Sequence, residues 1–257
     1  MPHTQFKPLL PPIKAFRFDF DTCLLEPLRL AFEIQRPFLN QQEGLFEGVF
    51  YHSEVLPDQD FYLLSYDTYP LLWLSNHNLK SYQLFETFFK ALALDSAMQD
   101  SIPFDQHLQM YSGFYVLGNR ATEMTWHYDY RSGAPGFTLI TPLYDWNPAH
   151  GHLHYRDPAD QTQTYPYQLG QAIVFGEGFE HCTEPYAVSD DLRVLVSLTF
   201  GPDQWSSWDI LKQNIAEQSY YYHLPCGHAV DSCQCWQNWL QERQRKPRRH
   251  WFFGFKK

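Results

Sequence analysis

Between residues 108 and 203 the chain divides into six short β-type segments closed off by turn residues, and this punctuation restricts the possible fold more than any other feature. The segments are 113–117, 125–130, 137–143, 151–155, 171–175 and 192–200, with turns at 131–136 and 148–151. Strands this closely spaced leave no room for alternating βαβ units. They predict a mainly β fold with flanking helices (α+β), built as a sandwich or barrel. Upstream, Phe16-Arg17-Phe18-Asp19-Phe20 alternates with the period of a half-buried strand, and strand-like runs recur at 48–52 and 61–65. Tyr82, Phe85, Phe89 and Leu92 recur every three or four residues, which predicts one amphipathic helix over 79–98. A second helix is expected from an N-cap at Ser206 or Ser207 through Leu211 and Ile215.

With 257 residues, 44% of them hydrophobic and 18% aromatic, the chain can bury a sizeable core. We expect one domain over residues 1–225, with its β core at about 108–203 and the N-terminal strands and helix packed on it. A Cys-containing, basic and aromatic tail follows over 226–257. From residue 241 on, this tail holds seven cations against one acid, Glu242, together with Trp251, Phe252, Phe253 and Phe255. It would contact an acidic partner or fold back on the acidic body. A net charge of −10 argues against a general nucleic-acid binder. No stretch approaches the ~20 apolar residues of a membrane-spanning helix, and the first residues lack a signal-peptide layout. Five cysteines, three of them crowded near the C-terminus, do not read as a secreted disulfide framework, so a soluble cytoplasmic protein with reduced thiols is expected.

The segment Thr125-Trp126-His127-Tyr128-Asp129-Tyr130 carries the most chemistry. On a strand, His127 and Asp129 would project together while Trp126 and Tyr128 project away. An imidazole beside a carboxylate is two-thirds of the facial triad that holds non-haem Fe(II). An isolated His-x-Asp is weak evidence, since about 0.6 such pairs arise by chance in a chain of this composition. The order of later residues adds to it. Gly170 leads into the apolar run Val174-Phe175, His181 follows, and Arg193 lies on the apolar run 192–200. A cation on such a strand needs an anionic partner.

These residues resemble the 2-oxoglutarate- and Fe(II)-dependent dioxygenase family. The shared pattern is His127-x-Asp129, Gly151-x-Leu153, Gly170 before Val174-Phe175, His181, and a basic residue about a dozen positions on, followed by Ser197-Leu198-Thr199-Phe200. It covers about residues 110–203. The resemblance implies a double-stranded β-helix (jelly roll), Fe(II) held by His127, Asp129 and His181, and the distal carboxylate of 2-oxoglutarate held by Arg193. It further implies oxidation of an organic substrate, a small metabolite or a peptide side chain, by O2 with release of succinate and CO2, and ascorbate as an auxiliary reductant. The guanidinium fork matches a carboxylate. Family members commonly carry Ser or Thr two residues after the Arg, where this chain has Leu195. Ser197 lies ~7 Å farther along the same strand face, and Tyr115 is a second candidate to complete the carboxylate site.

Two other clusters compete as metal sites. His150, His152 and His154 would share one strand face, as in zinc and cupin-type sites. Cys226, His228, Cys233 and Cys235 would suit zinc, although their spacings are tighter than in zinc ribbons, and reduced thiols are the alternative. The rival functional readings are a non-catalytic jelly-roll or cupin-like binding protein, and an interaction adaptor working through the C-terminal tail.

Overall fold

The computed structural model describes residues 7–9, 15–41, 46, 53–65, 71–230 and 233–245. The strand expected at 48–52 and the aromatic end of the tail, residues 246–257, lie outside them. Along the chain come β1 (Lys7–Pro8), β2 (Ala15–Asp19), α1 (Glu26–Gln41), β3 (Ser53–Val55), β4 (Phe61–Ser65), β5 (Leu71–Asn76), α2 (Leu79–Ala91) and α3 (Asp95–Met98). They are followed by β6 (Leu108–Gly118), β7 (Phe137–Pro142), β8 (Leu153–Arg156), β9 (Thr162–Tyr165), β10 (Gln171–Gly176), β11 (His181–Thr183), β12 (Arg193–Pro202), α4 (Trp205–Gln218) and α5 (Gln234–Arg245).

The strands form two antiparallel sheets. The larger has the order β1-β2-β10-β7-β12-β6-β5-β4-β3, and the smaller β11-β8-β9. From β6 onward the chain shuttles between them. β6 and β7 lie in the large sheet, β8 and β9 in the small one, β10 returns to the large, β11 to the small and β12 to the large. The segment between β6 and β7 touches the small sheet through one bridge, His127 to His181. This strand order is that of a jelly roll, the fold expected from the sequence, with β1 to β5 extending the large sheet at both edges.

β6 and β12 are buried along their whole length because both faces of the large sheet are covered. Alternate residues serve different cores. On β12, Val194, Val196 and Leu198 join β6 residues Tyr115 and Leu117 in the core beneath α1 and α2. Leu195 joins Phe114 and Val116 in the space between the sheets. Helix α1 reaches the outer core through Leu28, Phe32 and Leu39, with Gln35 buried beside them. A third core, around Tyr111, Tyr130, Trp208, Leu211, Ile215 and Leu224, closes one end beneath α4.

The long helix expected over 79–98 is two helices. Its start is fixed by a capping box, Asn78 accepting from the Ser81 amide and Ser81 in turn from the Asn78 amide. It ends near Ala93, which takes a positive φ of 50° without the glycine that would have announced it. Asp95 opens α3 and accepts from the amide of Leu108 at 2.6 Å, tying the break to the first residue of β6. Helix α4 begins at Trp205 rather than after Ser206, with Gln204 as its N-cap.

Candidate metal centre and its cavity

The segment 125–130 is not a strand. Pairing is confined to the reciprocal amide–carbonyl bonds of His127 and His181, both 3.0 Å. It stops there because the Asp129 carbonyl accepts from the Asn214 side chain at 2.7 Å instead of from a neighbouring strand. That single bridge still places the two imidazoles side by side, with ring centroids 4.3 Å apart. Tyr128 is 55% exposed and turns outward, while Trp126 lies beneath the Arg156 guanidinium, whose central carbon is 4.2 Å from the ring centroid.

His127, Asp129 and His181 converge. Asp129 Oδ1 lies 3.7 Å from His127 Nε2 and 3.5 Å from His181 Nε2. One ligand atom from each of the three lies within 4.8 Å of the others, an arrangement able to hold a metal ion. Donors ~2.1 Å from a common centre would stand ~3 to 3.4 Å apart, and both distances to Asp129 come within a few tenths of an ångström of that.

The remaining atoms of these side chains orient the donors. His127 Nδ1 lies 2.9 Å from the Thr125 carbonyl and His181 Nδ1 3.1 Å from that of Phe179, which fixes each Nδ1 as the protonated nitrogen and leaves each Nε2 lone pair facing the carboxylate. Thr138 Oγ1 donates to Asp129 Oδ2 at 2.6 Å, so Oδ1 is the oxygen left for a cation. Burial pushes the His181 pKa down to about 4 against the pull of Asp129, and the ring stays in the neutral form that ligation requires.

The cluster opens into a cavity of about 410 Å³ between the sheets. Its walls include Trp73, Phe114, Val116, Ile140 and Leu195, and Arg193 and Ser197 line it from β12. Arg193 is 2% exposed, and its Nε and Nη1 have no hydrogen-bond partner. Its guanidinium carbon lies 5.5 Å from the ring centroids of both Trp146 and Tyr167. Burial pushes the Tyr167 hydroxyl up to about 12 although Arg193 opposes this, so the neighbouring phenol remains neutral. Among the described residues no carboxylate lies within ion-pair distance of this buried cation. Three rings beside it, Trp146, Tyr167 and Tyr186, carried no local signal in the sequence. Thr138 and Asn214 were missed for the same reason, since only the fold brings them to Asp129.

Tyr115 does not reach the cavity. Its hydroxyl donates to the Leu28 carbonyl at 2.8 Å, and its ring packs on Phe32, Phe61 and Phe85 in the outer core. Strand alternation is the reason, because Phe114 and Val116 take the inner face and leave Tyr115 the outer one.

The histidines at 150–154 do not converge either. His150 Nε2 meets the Asp191 carbonyl at 3.0 Å, His152 Nδ1 accepts from the Tyr167 amide at 3.1 Å, and His154 Nε2 lies 3.5 Å from Glu184. Gly151 between them is required by close packing. A Cβ there would stand 1.9 Å from the Glu184 carbonyl oxygen.

No protein-family model matches the sequence, and no curated protein matches it. Solved structures do align with it. A prolyl-4-hydroxylase from Pseudomonas putida is 13% identical, with 74% of this chain and 94% of that one covered at a TM-score of 0.46. The non-haem α-ketoglutarate-dependent epimerase SnoN from nogalamycin biosynthesis is 11% identical, covering 74% and 78% at 0.49. HygX from Streptomyces hygroscopicus, solved with nickel and 2-oxoglutarate bound, is 14% identical, covering 74% and 83% at 0.43.

Proposed function

We propose that the chain is a 2-oxoglutarate- and Fe(II)-dependent oxygenase. One observation carries the reading: a single apolar-walled cavity holds a His-Asp-His donor set and a buried guanidinium without an anion. The donor chemistry fits ferrous iron, since two imidazoles and one monodentate carboxylate leave further coordination positions open. The unpaired arginine fits a dicarboxylate, which would supply the missing negative charge. Bound iron and 2-oxoglutarate would supply the oxidising chemistry, with succinate and CO2 released.

The residues of this chain have separate tasks in that reading. His127, Asp129 and His181 hold the metal, and Thr138 keeps Asp129 turned so that one oxygen is presented. Arg193 anchors the far carboxylate of the co-substrate, and Ser197 lies on the same strand face, where it can add a hydroxyl to that anchor. The apolar walls keep bulk water from the reacting atoms. An organic substrate, a small metabolite or a peptide side chain, enters past Tyr128 at the exposed rim and is hydroxylated or otherwise oxidised. Five unpaired cysteines support a reducing, cytoplasmic setting, and no described helix is long and apolar enough to cross a membrane.

The test is calorimetric binding of Fe(II) and then of 2-oxoglutarate to the purified chain, followed by succinate release with candidate substrates. His181→Ala and Asp129→Ala should abolish iron binding while circular dichroism stays unchanged. A protein that binds neither iron nor 2-oxoglutarate would leave a non-catalytic binding module as the better reading.

A further inference from the structure

A second cluster of metal-ligating side chains lies outside the cavity. Cys226, His228, Cys233 and Cys235 each offer one ligand atom, and those atoms lie within 4.8 Å of one another. We infer that this is a structural zinc site that fastens α5 to the body of the protein.

The local backbone is arranged to present the four groups together. Residues 222–230 form a narrow hairpin, with the Leu224 amide donating to the His228 carbonyl at 2.8 Å and the Val230 amide to the Tyr222 carbonyl at 3.0 Å. At its tip the Gly227 amide donates to the Leu224 carbonyl at 2.8 Å, and Gly227 takes a φ of +76°, a turn that side chains resist and glycine permits. Cys226 and His228 flank this tip. The other two ligands come from the start of a helix, since Cys233 immediately precedes α5 and Cys235 lies in its first turn.

The spacing of the sulfurs matches a tetrahedral centre. Cys226 Sγ and Cys233 Sγ are 3.7 Å apart. That is far beyond a disulfide bond of ~2.05 Å. Two thiolates bound at ~2.3 Å in a tetrahedron would stand ~3.8 Å apart. Three soft sulfurs and one imidazole fill all four positions, so the site has no place for substrate and its role is structural.

The position explains what the metal would secure. Helix α5 packs on α4 through tryptophans. Trp205 lies 5.7 Å from Trp239, and Trp236 stacks on Trp239 at 5.1 Å. Both thiols of the Cys226–Cys233 pair border the core that holds Trp208 and Leu211 of α4. Farther along α4, Asn214, Glu217 and Gln218 line the cavity. Short helices of this length are marginal alone, and a metal clip at the start of α5 fixes its register on α4.

The experiment uses the full chain carrying His127→Ala, which removes the competing donor set, and Co(II) as the probe with Zn(II) as competitor. The expected result is one Co(II) per chain with an intense thiolate-to-cobalt charge-transfer band, displaced by one equivalent of Zn(II) and lost in Cys233→Ser. In the zinc-loaded protein only the exposed Cys23 should react quickly with a maleimide, and a chelator should release three further thiols. Because Cys233→Ser can misfold, this thiol count on the chain with native cysteines is the deciding measurement. Equal thiol reactivity with and without zinc, absence of the charge-transfer band, or a Cys226–Cys233 disulfide in the freshly isolated protein would each overturn the assignment.

Discussion

Replacing Arg193 by Met separates two roles that predict opposite signs. Arg193 is 2% exposed, with Nε and Nη1 unpartnered, and its stabilising contacts include the faces of Trp146 and Tyr167 at 5.5 Å and the Tyr167 hydroxyl. Two such cation–π contacts return ~1 to 4 kcal/mol together, against a burial cost of several kcal/mol for an ion that lacks an anion. Methionine fills much of the same slot without the charge. In the absence of ligand, stability should therefore hold or rise by about 1 to 3 kcal/mol, which is ~2 to 4 °C in Tm per kcal/mol for a domain of this size. The affinity for 2-oxoglutarate should move the other way. Losing a buried, charge-assisted carboxylate contact costs about 2 to 4 kcal/mol, a ~30- to 700-fold rise in Kd. Differential scanning fluorimetry with and without 2-oxoglutarate, and calorimetry on the Fe(II)-loaded proteins, read both quantities. A variant that loses 3 kcal/mol of stability while binding 2-oxoglutarate normally would show that the guanidinium is satisfied within the protein, and the carboxylate assignment would be refuted.

Thr138→Val keeps shape but removes the bond that orients Asp129, and metal affinity should fall ~10- to 100-fold with the fold intact, as read by Fe(II) titration. An unchanged affinity would mean that Asp129 is held by its backbone contact to Asn214 alone. Gly113→Ala would bring a Cβ to 2.3 Å from Phe85 Cγ, and overpacking of this kind costs about 1 to 3 kcal/mol in urea unfolding. The same substitution in a Phe85→Leu background should cost clearly less, and additivity would count against the contact. Burial holds the pKa of His223, stacked on Tyr82 at 3.6 Å, down at about 4 from its ordinary 6.5. The unfolded chain takes up that proton first as pH falls, so this contribution is intact above 6.5 and is lost between 6.5 and 4, at most ~1.4 kcal/mol per pH unit. His223→Phe retains the stack and should flatten the pH dependence of unfolding over that window. Parallel pH profiles would reject it.

What could be read from the sequence depended on how local each signal was. The six β-type segments are punctuated by their own turn residues, and five of them are observed as strands with ends shifted by a few residues. His127 and Asp129 stand two apart, so even a segment that forms only one bridge brings them together. Helix α1 was missed because Pro37 lies within it, yet Leu28, Phe32, Gln35 and Leu39 make a buried stripe at helical spacing that outweighs the missing amide. Strand β9 escaped notice because its residues, Thr162 to Tyr165, are mostly polar and exposed.

The misplacement of Tyr115 has a more general cause. A strand covered on both faces is apolar at most positions on each of them, so its composition does not readily reveal which residues share a face. One residue in this sheet does carry that information. A cation on β12 tolerates only the face that opens on a cavity, and Arg193 therefore assigns Leu195 and Ser197 to the inner side and Val194 and Val196 to the outer. Antiparallel register passes the assignment across the ladder, since directly opposed residues project from the same face. Leu195 faces Val116 and Ser197 faces Phe114, whereas Val196 faces Tyr115. Once that register is known, a single arginine determines that Phe114 and Val116 line the cavity and that the Tyr115 hydroxyl must find its partner among the helices outside.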